Sequence, residues 1–140
     1  LMINSVAGRR AIASRSEYSA SKFALAGFTE AIRAELSKDG IEVHSVLPGL
    51  TQSSFEQNMI ENTARHSLHA QRSMTAEQCA RLVLDAVEKR RNETVLTLKG
   101  KLLVAFSRLF PRFVDRKMAS FVKKLYAKEQ QANPEAARET

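Results

Sequence analysis

The sequence predicts an α/β fold with a parallel sheet, and three observations carry that expectation. Helical and extended apolar patterns alternate along residues 1–98 in the order strand, helix, strand, helix, strand. The intervening strand at residues 41–47 is mostly β-branched or apolar, as a strand covered on both faces would be. Turn or cap residues stand at the changes of pattern, with Asp39-Gly40, Pro48-Gly49 and Asn92 as stops.

Taken in order, residues 1–5 read as the end of a buried strand, and residues 6–17, with Gly8, Arg9, Arg10 and several serines, as a loop. Residues 17–38 predict a helix, in which Ala20, Ala24, Ala26, Ala31 and Ala34 mix with Phe28, Ile32 and Leu36 at helical spacing. Gly40 follows as the residue past its end. After the strand at 41–47 and Pro48-Gly49 comes a polar stretch, residues 50–73, with a short helix expected near 55–63. Thr75 with Gln78 forms a capping box. The helix it opens carries Cys79, Leu82, Val83, Ala86 and Val87 on one stripe, with Arg90 and Arg91 favouring its C-terminal dipole. Residues 93–98 read as a further short strand. Three short strands and two crossovers do not complete a sheet, because buried parallel strands need neighbours and two covered faces. The chain also opens inside a strand-like stretch without an initiator Met, so the expectation is that residues 1–98 are the second half of a domain.

Composition narrows the class. At 44% hydrophobic and 26% charged residues the chain has the make-up of a soluble protein with a core. A single cysteine, Cys79, excludes an internal disulfide framework and suits a reducing compartment such as the cytoplasm; it reads as a small apolar helix residue. No apolar run approaches the ~18–20 residues of a membrane-spanning helix. His66 and His69 are three apart, but neither they nor His44 have a supporting carboxylate or cysteine cluster, so no metal site is expected. The net charge of +7 is uneven: residues 99–128 hold nine basic residues and one acid, Asp115, and the rest of the chain is close to neutral.

That basic segment predicts a helical extension broken at Pro111. Leu102, Phe106, Leu109 and Phe113 form one stripe, and Met118, Phe121, Val122, Leu125 and Tyr126 a second. The favoured reading has the stripes packing on each other, on the domain or on a partner subunit. The alternative lays the pair on an anionic membrane surface or over a lipophilic substrate. Nucleic acid is not an expected partner. Residues 129–140 read as a disordered polar tail.

The chemistry gathers at the start of the first long helix. Tyr18 and Lys22 stand at i and i+4, so phenol and ammonium share a face. A phenol of pKa ~10 is a poor base near neutrality, and bringing it to ~7 takes about 4 kcal/mol. A cation ~5 Å away at an effective dielectric of ~20 supplies on the order of 3 kcal/mol of that. Such a pair can exchange a proton with a substrate oxygen. The spacing alone is weak evidence, but Ser5 and Pro48-Gly49 both fall at the C-terminal ends of expected strands, where open α/β sheets place their ligands.

Asn4-Ser5-Val6-Ala7-Gly8, Tyr18-Ser19-Ala20-Ser21-Lys22-Phe23-Ala24-Leu25 and Val46-Leu47-Pro48-Gly49, in this order and spacing, resemble the second half of the short-chain dehydrogenase/reductase pattern over about residues 3–98. The resemblance implies the C-terminal half of a doubly wound Rossmann-type domain and an oxidoreductase that interconverts a secondary alcohol and a ketone with NAD or NADP. It implies that Ser5 polarises the substrate carbonyl, that Tyr18 is the acid/base, and that Lys22 holds the nicotinamide ribose and favours the phenolate. Pro48 and Gly49 would line the nicotinamide, Ser53 or the adjacent Ser54 would contact its carboxamide, and the backbone of Leu50 and Thr51 would lie nearby. Residues 54–73 match the segment that closes over substrate, and a homodimer or tetramer through the Tyr18-bearing helix is implied. The family's Gly-rich phosphate turn is not in this sequence, so the 140-residue chain alone is expected to be inactive. A non-catalytic binding module with a membrane-associating basic tail is the alternative.

Overall fold

The computed structural model describes residues 1–53 and 73–132. The helix expected near 55–63, most of the substrate-closing segment, His66 and His69 lie outside the described residues. Three strands, β1 (Met2–Ile3), β2 (Ser45–Leu47) and β3 (Glu93–Val95), form a parallel sheet in the order β1-β2-β3. Met2 pairs with Ser45 and Ile3 with Val46, while Ser45, Val46 and Leu47 face Glu93, Thr94 and Val95. Helix α1 (Ser16–Leu36) connects β1 to β2, and α2 (Ala76–Glu88) precedes β3. Helices α3 (Leu98–Leu109) and α4 (Pro111–Ala132) follow.

The central strand is buried along its whole length, and Val46 and Leu47 belong to the core with Val6, Ala7, Val43, Ala26 and Ala86. Only the last three residues of the apolar run at 41–47 pair as a strand. Glu93–Val95 is likewise shorter than expected, because Thr97 ends it: its hydroxyl accepts the Gly100 amide at 3.1 Å and caps α3, placing Leu98 at the start of a helix.

Helix α1 meets the rest of its unit through small and polar residues. Ser19, Ala26 and Thr29 are its buried positions, whereas Phe28, read from periodicity as part of the apolar face, is 55% exposed. Small side chains permit a close approach, and Thr29 returns its hydroxyl to the Leu25 carbonyl at 2.6 Å. A 3₁₀ turn, Ser37–Asp39, closes the helix, and Gly40 takes the left-handed conformation at φ 69°. At that end the Arg33 guanidinium donates to the carbonyls of Val43 and Asn92, both at 2.9 Å, joining the approaches to β2 and β3. The capping box of α2 is formed as expected, with Gln78 N to Thr75 Oγ1 at 3.2 Å and Thr75 N to Gln78 Oε1 at 3.1 Å. Its stripe is only partly covered, with Ala86 buried and Cys79 half-buried.

The chain divides into two compact units, Leu1–Val104 and a second from Ala105 onward. In the second, α4 continues to Ala132, four residues beyond the boundary expected at Lys128. Phe106, Leu109 and Phe113 of the first apolar stripe are exposed among the described residues.

Candidate functional site

Strand β1 ends just before Ser5, whose extended backbone leads into a 3₁₀ turn, Val6–Gly8. The Ser5 hydroxyl oxygen accepts the Ala7 amide at 3.1 Å and caps that turn. The neighbouring Asn4, buried, accepts the Ser5 amide on Oδ1 at 2.8 Å. The turn is pressed against α1. A Cβ on Gly8 would come within 2.7 Å of both Asn4 Oδ1 and the Lys22 carbonyl oxygen, so a hydrogen is all that fits there. Ile12 N donates to Ser19 Oγ at 3.1 Å and ties the rest of the loop to the same helix.

Tyr18 and Lys22, one turn apart in α1, are both half-buried. The Lys22 ammonium stands over the Tyr18 ring, 5.6 Å from its centroid, and donates to the Ile3 carbonyl at 3.5 Å. Lys22 is thus directed to the strand end that leads into Ser5. Val6 N donates to the Pro48 carbonyl at 3.1 Å, so the serine turn is also joined to the segment after β2. Gly49 lies against Thr97, where a Cβ would sit 3.1 Å from the threonine hydroxyl. Beyond it, Thr51 bridges to Met74: Gln52 N donates to the Met74 carbonyl at 2.8 Å and Met74 N to the Leu50 carbonyl at 3.0 Å. Ser53 is exposed at the edge of the described residues. The sequence-predicted set therefore lies on the segments that follow β1 and β2 and on the first turns of α1.

Sequence reasoning assigned no role to three supports of this arrangement. Asn4 fixes the Ser5 amide, Thr97 caps α3 beside Gly49, and Arg9 reaches Glu93 on β3 (Nε to the two carboxylate oxygens at 3.1 and 3.0 Å) and Glu30 on α1. The bond to Glu93 holds the Arg9 guanidinium above its ordinary pKa despite partial burial, so the charge is retained. Thr97 three residues before Gly100 was a legible cap signal. The partners of Arg9 are remote in sequence and left no such mark. An open depression of about 410 Å³ lies elsewhere, lined by Arg33, Ile41, Glu42 and Arg90. Its charges are already engaged, Arg33 with two carbonyls and Arg90 with Glu42, and none of the residues of the candidate site lines it.

The parallel sheet with its crossover helix, bearing a phenol and an ammonium on one helical face beside the strand end, defines an α/β domain of Rossmann type. Comparison with known proteins agrees. The sequence profile described as short chain dehydrogenase matches residues 1–64. The chain is 30% identical over 136 residues to the uncharacterized oxidoreductase YxnA of Bacillus subtilis (strain 168), covering 94% of this chain and 38% of that protein. It is 34% identical over 129 residues to dehydrogenase/reductase SDR family member 7B of Xenopus tropicalis, covering 89% of this chain and 42% of the relative. Among solved structures, a short-chain dehydrogenase from Burkholderia cenocepacia J2315 in complex with NADP superposes with a TM-score of 0.68 at 23% identity, over 83% of this chain and 45% of that one. A short-chain dehydrogenase from Sphingobium yanoikuyae in complex with NADPH gives 0.61 at 23% identity, over 84% and 43%. These structural likenesses show the fold. The chain is thus similar in sequence and fold to the short-chain dehydrogenase/reductase family, and it spans less than half the length of the two curated relatives described.

Proposed function

We propose that this chain carries the acid/base side of an NAD(P)-dependent oxidoreductase that interconverts a secondary alcohol and a ketone, with Ser5, Tyr18 and Lys22 as its catalytic residues. The observation that carries the reading is the Lys22 ammonium lying over the Tyr18 ring while directed to the strand end that leads into Ser5. The two solved neighbours held NADP and NADPH, which supports a nicotinamide cofactor.

The residues present suit that group. An ammonium has three donors, and the bond to the Ile3 carbonyl uses one of them, which leaves two for a ribose diol. Pro48, Gly49, Leu50 and Thr51 form the adjoining wall for the nicotinamide, with Ser53 next along the chain for its carboxamide. The bound nicotinamide supplies or accepts the hydride. Ser5 already accepts the Ala7 amide on its oxygen, so its own proton is available to a substrate carbonyl. Tyr18 gives that oxygen a proton in reduction and takes one in oxidation, and Lys22 stabilises the phenolate in between. The outward Phe23 and Phe28 of α1 suit the assembly of a dimer or tetramer through that helix, which light scattering reads directly.

Turnover of NADH and NADPH with a panel of ketones tests the reading in the full protein. Tyr18→Phe is expected to lower kcat by roughly 10²–10⁴-fold with the KM for cofactor little changed. A Tyr18→Phe enzyme with the parental rate at every pH would remove Tyr18 from the reaction and the proposal with it.

A further inference from the structure

The second unit carries a feature that the oxidoreductase reading leaves unused. Where α3 gives way to α4 at Pro111, three phenylalanines collect: the Phe106 ring lies 4.9 Å from Phe110 and 6.0 Å from Phe113, centroid to centroid. They remain in solvent, Phe110 being 52% exposed, and the adjacent Leu109 is 72% exposed. Val114 and Ser107 are buried instead, so this unit has an inward face and the aromatic cluster is not on it.

Cations flank the cluster in sequence and continue along α4. Arg108, Arg112, Arg116, Lys117, Lys123 and Lys124 are all exposed, and the Lys117 ammonium lies 5.5 Å from the Phe113 ring centroid. At about 100° per residue, Phe113 falls inside the arc that Arg112, Arg116, Lys117, Lys123 and Lys124 occupy on α4. Asp115, the one acid of the segment, falls outside that arc, beside Val114.

From this combination we infer that the elbow between α3 and α4 is a docking surface for an anionic lipid bilayer, with Leu109 and Phe110 entering the interfacial region and the flanking arginines and lysines engaging headgroups. The chemistry selects this occupant. A second copy would set one basic face against another. A nucleic acid would satisfy the cations and leave the aliphatic Leu109, the most exposed of the group, with nothing to bury it. An anionic bilayer matches both parts, taking apolar tips into its acyl boundary and charged heads at its surface.

The sequence contains no tryptophan, so Leu109→Trp introduces a single fluorophore at an exposed position that leaves the buried face alone. With the full chain, vesicles of phosphatidylcholine plus phosphatidylserine should shift its emission to the blue and co-sediment it, and acyl-chain bromination should quench it. Vesicles of phosphatidylcholine alone should do this far more weakly, and high salt should release the protein. Each headgroup-facing cation contributes about fivefold to the partition coefficient, so Arg112→Gln with Arg116→Gln should lower it roughly 25-fold. Phe110→Ser should lower it on the order of tenfold with helix content by circular dichroism unchanged. Equal affinity for neutral and anionic vesicles overturns the inference, as does co-sedimentation with an unshifted, unquenched tryptophan signal from the Leu109→Trp variant. Absence of vesicle binding alongside salt-sensitive binding to DNA overturns it too, and assigns the basic face to nucleic acid.

Discussion

Gly8 offers a direct measurement of how tightly the serine turn is held. The perturbation is one methyl group. In Gly8→Ala the new Cβ would start 2.7 Å from Asn4 Oδ1 and 2.7 Å from the Lys22 carbonyl oxygen. Ordinary contact distances begin at 3.4 Å, so each neighbour must retreat by about 0.7 Å. Neither is free to do so. The Lys22 carbonyl belongs to the backbone of α1, and Asn4 is buried with its Oδ1 holding the Ser5 amide. Overpacking of this kind costs about 1–3 kcal/mol. With a urea m-value of about 2 kcal/mol/M, the unfolding midpoint should fall by about 0.5–1.5 M. Gly27 supplies the matched control, because it sits exposed within α1 and a Cβ there meets nothing within 4 Å. Gly27→Ala should therefore stabilise the helix by about 0.5–1 kcal/mol and raise the midpoint. Urea titrations of both variants followed by circular dichroism check the pair. If Gly8→Ala unfolds at or above the parental midpoint, the close approach of turn and helix is not real.

Thr75→Ala removes the side-chain half of the α2 capping box and should destabilise the chain by about 0.5–2 kcal/mol, with Thr75→Ser restoring most of it in the same titration. The hydrogen bond from Arg90 is the largest of the effects that hold the Glu42 carboxyl below its ordinary range. A carboxyl whose folded pKa is depressed adds stability above its unfolded pKa, and that contribution is lost as the pH falls through the folded value. Arg90→Gln should move the Glu42 titration upward and narrow that acid window. Carbon-13 NMR of the side-chain carboxyl reads the shift, and an unmoved titration would show that the pair does not persist in solution.

The parts of the fold legible in the sequence were those with local causes. Thr75 and Gln78 are three residues apart and satisfy each other's backbone, Gly40 accepts the left-handed turn after the helix, and Pro111 starts α4 where it stops the pattern before it. The alternation of periods likewise announced the parallel sheet, because crossover connections require it. What pattern misjudged was burial. Phe28 and Leu109 lie at apolar positions by spacing, yet the buried positions of α1 are Ser19, Ala26 and Thr29, and Leu109 is left in solvent. Hydrophobicity marks residues able to be covered, whereas coverage is decided by how near two elements can come, and that favours small side chains. The Tyr18–Lys22 pairing was legible because four residues make one helical step. Arg9 was not assigned to the site because its effect arises only once distant segments meet, as when it joins Glu93 across 84 positions of sequence, whereas Asn4 and Thr97 act on the nearby amides of Ser5 and Gly100 and were overlooked.

The bond pattern of Arg33 gives α1 a fixed heel. By its 21 residues the helix is about 31 Å long, and Arg33 lies 15 residues, about 22 Å, from Tyr18. Two carbonyls, one approaching β2 and one approaching β3, grip that guanidinium, while the opposite end carries the phenol and the ammonium. That opposite end is gripped as well: the Gly8 turn lies against the Lys22 carbonyl, and Ile12 N donates to Ser19 Oγ at 3.1 Å. A helix clamped at both ends presents the residues of its first turns from a fixed position, and in the proposed reaction that is where the phenol would meet its substrate.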